Sequence, residues 1–535
     1  MRRILGATLA CIAVLSACST SAQGHDEMGH STVVATDAGP VRGTVAEGYR
    51  LFQGIPFAAP PVGELRWVDP QPVVPWTQPR DATTPGNVCA QVASHVADIA
   101  SENEDCLYLN VIAPDAAQPL PVMVWIHGGT GANGAGSYFD AHRLALGGDV
   151  MVVTINYRLG IFGGFGYPGL EGSGTFGLAD QQVALRWVQR NIAAFGGDPG
   201  NVTLFGESYG ALATTAHLTS PSAQGLFHRA AIQSGLALFD YPPGTIMPGS
   251  PAVPSVWISP PEMDELGSLM ASQLGCPDPA TAVQCLRGLP ARDLLPLTSV
   301  FTRYAHGTSL LPEDPVQALR GGRFHRVPVI SGATRDEHRL FTAVFYDLMG
   351  QPVTAEGYSQ LLRDAFGSAA EQVAAQYPLD AYDSPSLAWS AVVTDRLWAL
   401  STAEQNRLLA AHTPTYAYEF ADGAAPPIVE FPPGFPPGAH HSAEVFYQFD
   451  EPGTGEFGGT AGEFAPDQRR LAEDMNAYWA NFARTGDPNG PDLPPWQGHG
   501  NAGYVQSLAP GPEGIHSVDY STEHQLLFWT TVFQR

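Results

Sequence analysis

Lysine is absent from this chain: all 26 basic residues among its 535 are arginines, against 52 aspartates and glutamates, for a formal charge of −26. So few cations exclude nucleic acid and other polyanions as partners. The missing lysine reflects GC-rich coding more than a function, although a high-salt or acid-tolerant setting would suit the same surface. Long apolar runs are also missing. The one N-terminal stretch, Ile4 to Leu15 after Met1-Arg2-Arg3, falls short of the roughly 20 residues that a spanning helix needs, and its basic start marks a secretory signal. Cysteine is scarce, six in all, and Cys11 belongs to that signal.

Leu15-Ser16-Ala17-Cys18 resembles a bacterial lipobox. Residues 1–17 then form a signal peptide cleaved before Cys18, whose sulfur takes the lipid, and the chain is an extracytoplasmic envelope lipoprotein; an ordinary secreted protein cut nearby is the alternative. Residues 18–31 read as a flexible tether, with His25, Asp26, Met28 and His30 as linker residues rather than metal ligands. Cys89, Cys106, Cys276 and Cys285 lie where disulfides persist. Four cysteines allow three pairings; the short-range one closes two small loops, each worth about 2–3 kcal/mol through loop-closure entropy.

Residues 121–126 (PVMVWI), 150–155 (VMVVTI) and 202–205 (VTLF) are continuous apolar runs. Strands of that kind are buried on both faces, as in a parallel sheet clothed by helices. A helix is expected over 180–194, with Ala184, Trp187, Val188, Ile192 and Phe195 on one face and Gly196-Gly197-Asp198-Pro199 stopping it. Strands near 327–331 and 415–420 and a helix near 468–484 continue the alternation, the pattern of a doubly wound α/β sheet. The Pro/Gly-rich stretches 239–261 and 424–438 read as loop excursions that wall a pocket. No composition shift isolates a second core, so residues 32–535 are expected to form a single domain.

Within this frame, Phe205-Gly206-Glu207-Ser208-Tyr209-Gly210 places a serine between two glycines where a strand gives way to the helix-forming run 211–218. A nucleophile elbow looks like this: strand and helix nearly touch, so the positions two before and two after the serine must be small. Chance alone could supply the motif. A serine hydroxyl is a weak nucleophile and needs a base, which in turn needs an acid to orient it. Both follow in the order such sheets use: an Asp336-Glu337 pair after the strand near 327–331, then a His440-His441 pair in a late loop.

GPVRG at 39–43, FQGIPFAAPPVGELRW at 52–67, EDCLYLNV at 104–111, NYRLG at 156–160, NIAAFGGDPGNVTLFGES at 191–208 and YWANFARTGDPNG at 478–490 together resemble the type-B carboxylesterase family, which includes cholinesterases and p-nitrobenzyl esterases. The likeness spans nearly the whole mature chain and implies an α/β-hydrolase fold and a serine carboxylesterase acting through an acyl-enzyme, without metal or cofactor. Residue by residue it implies Ser208 as nucleophile, Glu337 as acid and His441 as base, with Asp336 and His440 as the rivals. Glu444 stands three residues after His441, the spacing the family uses. His127-Gly128-Gly129-Thr130-Gly131 resembles the family's oxyanion loop, so Gly129, Thr130 and Tyr209 are the expected N–H donors. Glu207, Ser234 and Glu444 resemble its buried polar network, and the cysteine spacings match its two bridges, Cys89 to Cys106 and Cys276 to Cys285.

Two positions depart from the family pattern: Thr130 where glycine is usual and Tyr209 where alanine is usual. Backbone donors survive both changes, but the added side chains threaten to narrow the pocket or turn an amide, and esters of bulky tertiary alcohols are not expected substrates. Cholinesterases of the resembled family bind a quaternary ammonium on a tryptophan within the first disulfide loop; no tryptophan lies between Cys89 and Cys106 here, so the resemblance does not extend to choline esters. Neutral, moderately sized carboxylic esters are the expected small-molecule substrates. Amidase, thioesterase and transacylase activities share this triad. A non-catalytic binding module of the same fold is the remaining alternative; such relatives lose a triad member, and here all three are present.

Overall fold

The computed structural model describes residues 32–93, 99–449, 464–500 and 502–533. Cys18 and the tether lie outside them. A ten-stranded sheet organises the chain: β1 (Thr44–Ala46), β2 (Tyr49–Pro56), β3 (Tyr108–Pro114), β4 (Leu120–Ile126), β5 (Met151–Ile155), β6 (Gly197–Glu207), β7 (Arg229–Gln233), β8 (Val329–Thr334), β9 (Thr415–Phe420) and β10 (Val505–Leu508). Their order across it is β10-β9-β8-β7-β6-β4-β5-β3-β2-β1. Strands β10 through β5 run parallel; β3, β2 and β1 add an antiparallel edge.

Every residue of β4, β5 and β8 is buried, which is why the segments of β4 and β5 read as continuous apolar runs. The faces separate with period two. Val122, Val124 and Ile126 join the core beneath α1 (Phe176–Phe195) and α2 (Tyr209–Thr219), while Met123 and Trp125 join the opposite core with Met475 and Trp479 of α4 (Pro466–Thr485). Between α2 and α4 in sequence lies the short α3 (His338–Thr342). Burying an aliphatic or aromatic side chain contributes roughly 1.5–3 kcal/mol, so a strand buried on both sides is costly to displace.

Helix α1 begins four residues ahead of the expected Asp180. That side chain does not cap the helix; it holds buried Arg158 through its Nε and Nη2, both at 2.8 Å. The helix ends at Gly196, whose φ of 101° is a left-handed stop that favours glycine. The excursions pack onto the sheet's carboxyl edge: Thr245 O accepts from His338 Nε2, and Ile428 N donates to His440 Nε2. Cys89 is bonded to Cys106 and Cys276 to Cys285. Among the described residues no helix is long and apolar enough to cross a membrane.

Candidate active site

Register brings the chemistry to one edge. Ile126 pairs with Gly206, Gly206 with Ile232 and Gln233 with Gly332, so the loop after β4, the turn after β6, and the ends of β7 and β8 emerge side by side. Ser208 caps α2 with φ 55° and ψ −120°, a backbone state that costs a side-chain-bearing residue on the order of 1–3 kcal/mol. The turn has no room for a Cβ at its glycines. One on Gly206 would lie 2.6 Å from the backbone of Gly210, and one on Gly210 would lie 2.0 Å from Ile126 O.

Ser208 Oγ lies 2.9 Å from His441 Nε2, and His441 Nδ1 lies 2.6 Å from Glu337 Oε2. A carboxylate can only accept, so Nδ1 carries the proton and Nε2 presents its lone pair to the serine. The Thr334 amide holds the other Glu337 oxygen at 2.9 Å, and His441 N donates to Glu337 O. Asp336 turns away. It forms an ion pair with Arg339 at 2.9 Å and accepts from Ala439 N at 2.9 Å, pinning the start of the histidine loop. His440 is directed elsewhere too, between Gly438 O and Ile428 N, and burial lowers its pKa to about 4.

Glu207 and Glu444 share this interior with Glu337. Burial pushes Glu207 well above the carboxylate range and Glu337 adds to it, while the Ser442 hydroxyl, donating to Glu207 Oε1 at 2.5 Å, works the other way. The same oxygen lies 3.2 Å from His441 Nε2. Burial, then Glu207 and Glu337, raise Glu444 to about 8, and Ser234 Oγ donates to it at 3.4 Å. Burial therefore disfavours the charged form of both carboxyls, which limits the packing of several anions around one imidazole.

The loop of residues 127–131 stands beside the serine, a Cβ on Gly128 falling 3.0 Å from Ser208 Cβ. Gly129, Thr130 and Gly131 have φ of 91°, 56° and 73°, and Gly128 has no room for a side chain, a Cβ there falling 2.8 Å from Glu207 Oε2. Thr130 is exposed. The Tyr209 ring lies against Gly131 and packs on Tyr304 at 4.7 Å.

Three contributors carried no signal in the sequence. Ser442, with φ 65°, clamps Glu207. Phe341 and Trp398 flank the His441 ring, with centroids 5.0 and 4.9 Å away. Of the eight non-glycine residues with positive φ among those described, Thr130, Ser208, Ser234 and Ser442 line this site. Such strain concentrates where a structure holds side chains for chemistry.

A mostly parallel sheet whose carboxyl edge offers a strained serine to a carboxyl-paired imidazole is the architecture of the α/β-hydrolases. The chain belongs to the Carboxylesterase family, whose family model matches residues 30–529. It is 34% identical over 472 residues to para-nitrobenzyl esterase of Bacillus subtilis (strain 168), covering 85% of this chain and 90% of that protein. It is 33% identical over 516 residues to acylcarnitine hydrolase of Mus musculus, covering 89% and 87%. With cocaine esterase of Oryctolagus cuniculus the identity is 34% over 505 residues, covering 87% and 90%. The solved structure of a thermophilic PNB esterase matches with a TM-score of 0.74 and 30% identity, covering 93% of this chain and 100% of that one. The protein is a carboxylic ester hydrolase.

Proposed function

We propose that the enzyme hydrolyses neutral carboxylic esters through an acyl-Ser208 intermediate. The hydrogen-bonded line from Ser208 through His441 to Glu337 carries this reading. Ser208 Oγ attacks the carbonyl carbon as His441 Nε2 takes its proton. The carbonyl electron pair becomes an oxyanion met by the N–H groups of Gly129, Thr130 and Tyr209. Collapse breaks the ester C–O bond, and the departing alkoxide takes the proton from His441. Water, losing its proton to the same nitrogen, then attacks the acyl group, and a second collapse releases the acid and returns the proton to Ser208. Glu337 holds the imidazole tautomer and stabilises the cation it becomes. Ser442 on Glu207 and Ser234 on Glu444 keep the surrounding interior hydrogen-bonded.

Relatives named for acylcarnitine, cocaine and p-nitrobenzyl substrates support ester cleavage. We further propose that residues 32–535 work as one catalytic unit, tethered to the cell envelope by lipid on Cys18. Fluorophosphonate labelling of Ser208, lost together with ester hydrolysis in Ser208→Ala, tests the chemistry. Matched ester, amide and thioester substrates of graded acyl and alcohol size test the range. Incorporation of labelled fatty acid, abolished by Cys18→Ser, tests the anchor. An enzyme that ignores fluorophosphonate, or a Ser208→Ala variant as active as the parent, would overturn the mechanism.

A further inference from the structure

Gly129, Thr130 and Gly131 occupy three successive positive-φ positions, and a loop so strained keeps its shape only where its surroundings impose it. Hydrogen bonds orient its peptide planes. Gly129 O accepts from Ala132 N and Asn133 N, both at 3.0 Å, and Gly128 O pairs with His127 Nδ1 at 3.0 Å. All those partners belong to the loop itself, so they fix its shape and not its place. Gly160 N on Gly131 O and Tyr157 Oη on His127 O, each at 2.7 Å, tie it to the segment after β5. The base of the loop abuts α2 at Gly210, where a Cβ would lie 2.0 Å from Ile126 O and 2.8 Å from His127 O, but neither hydrogen bond sets the gap between Gly131 and the helix.

Tyr209 fills that gap. A Cβ on Gly131 would lie 2.5 Å from Tyr209 Cζ and 2.7 and 2.8 Å from its two Cε atoms, so the ring sits directly on the glycine. Behind it the Tyr304 ring packs at 4.7 Å and 35°, with Trp257 stacked on Tyr304 at 6.3 Å. Gln181 Nε2 reaches the Tyr304 hydroxyl at 3.4 Å, and Gln181 Oε1 accepts from His217 Nε2 at 2.8 Å. That histidine is fully buried and kept neutral by its burial. The backing thus runs into both α1 and α2.

We infer that the Tyr209 side chain is a positioning residue for the oxyanion hole, a spacer whose ring sets the distance between the loop bearing the Gly129 and Thr130 amides and the helix bearing its own. The inference rests on the reading of those three amides as oxyanion donors. One residue then supplies the third donor from its backbone and fixes the first two with its side chain. Gly131 is the reciprocal requirement, since any side chain there would occupy the spacer's place. An alanine at 209 leaves a void into which the loop can settle, and donors misplaced by about 1 Å cost on the order of 100-fold in rate.

The test uses the mature full-length enzyme, a short p-nitrophenyl ester, a trifluoromethyl ketone that forms a tetrahedral adduct with the serine, and the matching methyl ketone as ground-state analogue. Tyr209→Ala is expected to lower kcat about 10- to 100-fold while KM and methyl ketone affinity stay within about threefold, and to weaken the trifluoromethyl ketone by the same factor as kcat. Tyr209→Phe, which keeps the ring, is expected to recover kcat to within about threefold of the parent. Tyr209→Leu, retaining part of the bulk, gives an intermediate loss and serves should the alanine variant not fold. Parental kcat in Tyr209→Ala or Tyr209→Leu, equal weakening of both ketones, or a phenylalanine variant as slow as alanine would each overturn the spacer. Fluorophosphonate separates the two levels. A parent that is not labelled removes the underlying reading, whereas a labelled parent with an indifferent Tyr209→Ala removes this inference alone.

Discussion

Histidines 440 and 441 are adjacent in the chain and differ completely in use. His440 bridges two backbone groups of its own loop region, Gly438 O and Ile428 N, whereas His441 spans Ser208 and Glu337. His440→Ala should therefore cost stability, about 1–3 kcal/mol for two buried groups left unpaired, with kcat within about tenfold. His441→Ala should lower kcat by about 10⁴-fold or more with little change in Tm; steady-state kinetics and thermal melts on both variants check the contrast. Glu444 gives a second residue-scale expectation. Its pKa of about 8 stands above its usual 4.5, so the folded state binds a proton that the unfolded state releases. Its contribution is fully present below about pH 4.5 and is lost as pH rises through about 8. Glu444→Gln should accordingly flatten the decline of urea-unfolding stability over that window, and an unchanged profile would assign the decline to other groups.

At the scale of elements, one buried imidazole ties the C-terminal segment to two acidic side chains. His524 is bonded to Asp395 Oδ1 at 2.6 Å through Nδ1 and to Glu419 Oε1 at 2.5 Å through Nε2. Asp395 lies three residues before Trp398, which flanks His441, and Glu419 lies in β9. Burial alone would lower the pKa of His524, but the hydrogen bonds to the two carboxyls outweigh it and raise it to about 10. The stabilisation is complete below about pH 6.5 and disappears as pH climbs through about 10. His524→Gln should cost about 3–5 kcal/mol at neutral pH, because two buried carboxylates lose their cation, and the deficit should shrink towards pH 10. Thermal melts across pH 6–10 measure both. The expected helix and strands were readable because apolar period and stop signals act locally; the true start of α1 was not, because Asp180 is engaged by Arg158 rather than by its own helix.

For the molecule as a whole, the two disulfides close short loops on an acidic, lysine-free chain. Reduction should remove about 2–3 kcal/mol per bridge, seen as a lower Tm in dithiothreitol with activity retained at 25 °C; no change in Tm would mean that the bridges are thermodynamically idle. The sequence by itself determined the alternating α/β architecture, the strand-turn-helix around Ser208 and the order serine, acid, histidine, because backbone propensity, small residues at close approaches and two-sided burial are written in consecutive residues. Only the tertiary structure decided that Ser442 clamps Glu207, that Phe341 and Trp398 flank His441, that His524 joins Asp395 to Glu419, and that the Tyr209 ring turns onto Gly131. Each of these is a contact between residues remote in the chain, and its partner exists only once the sheet's register has brought the loops to a common edge and burial has set the price of leaving a polar group or a void unfilled.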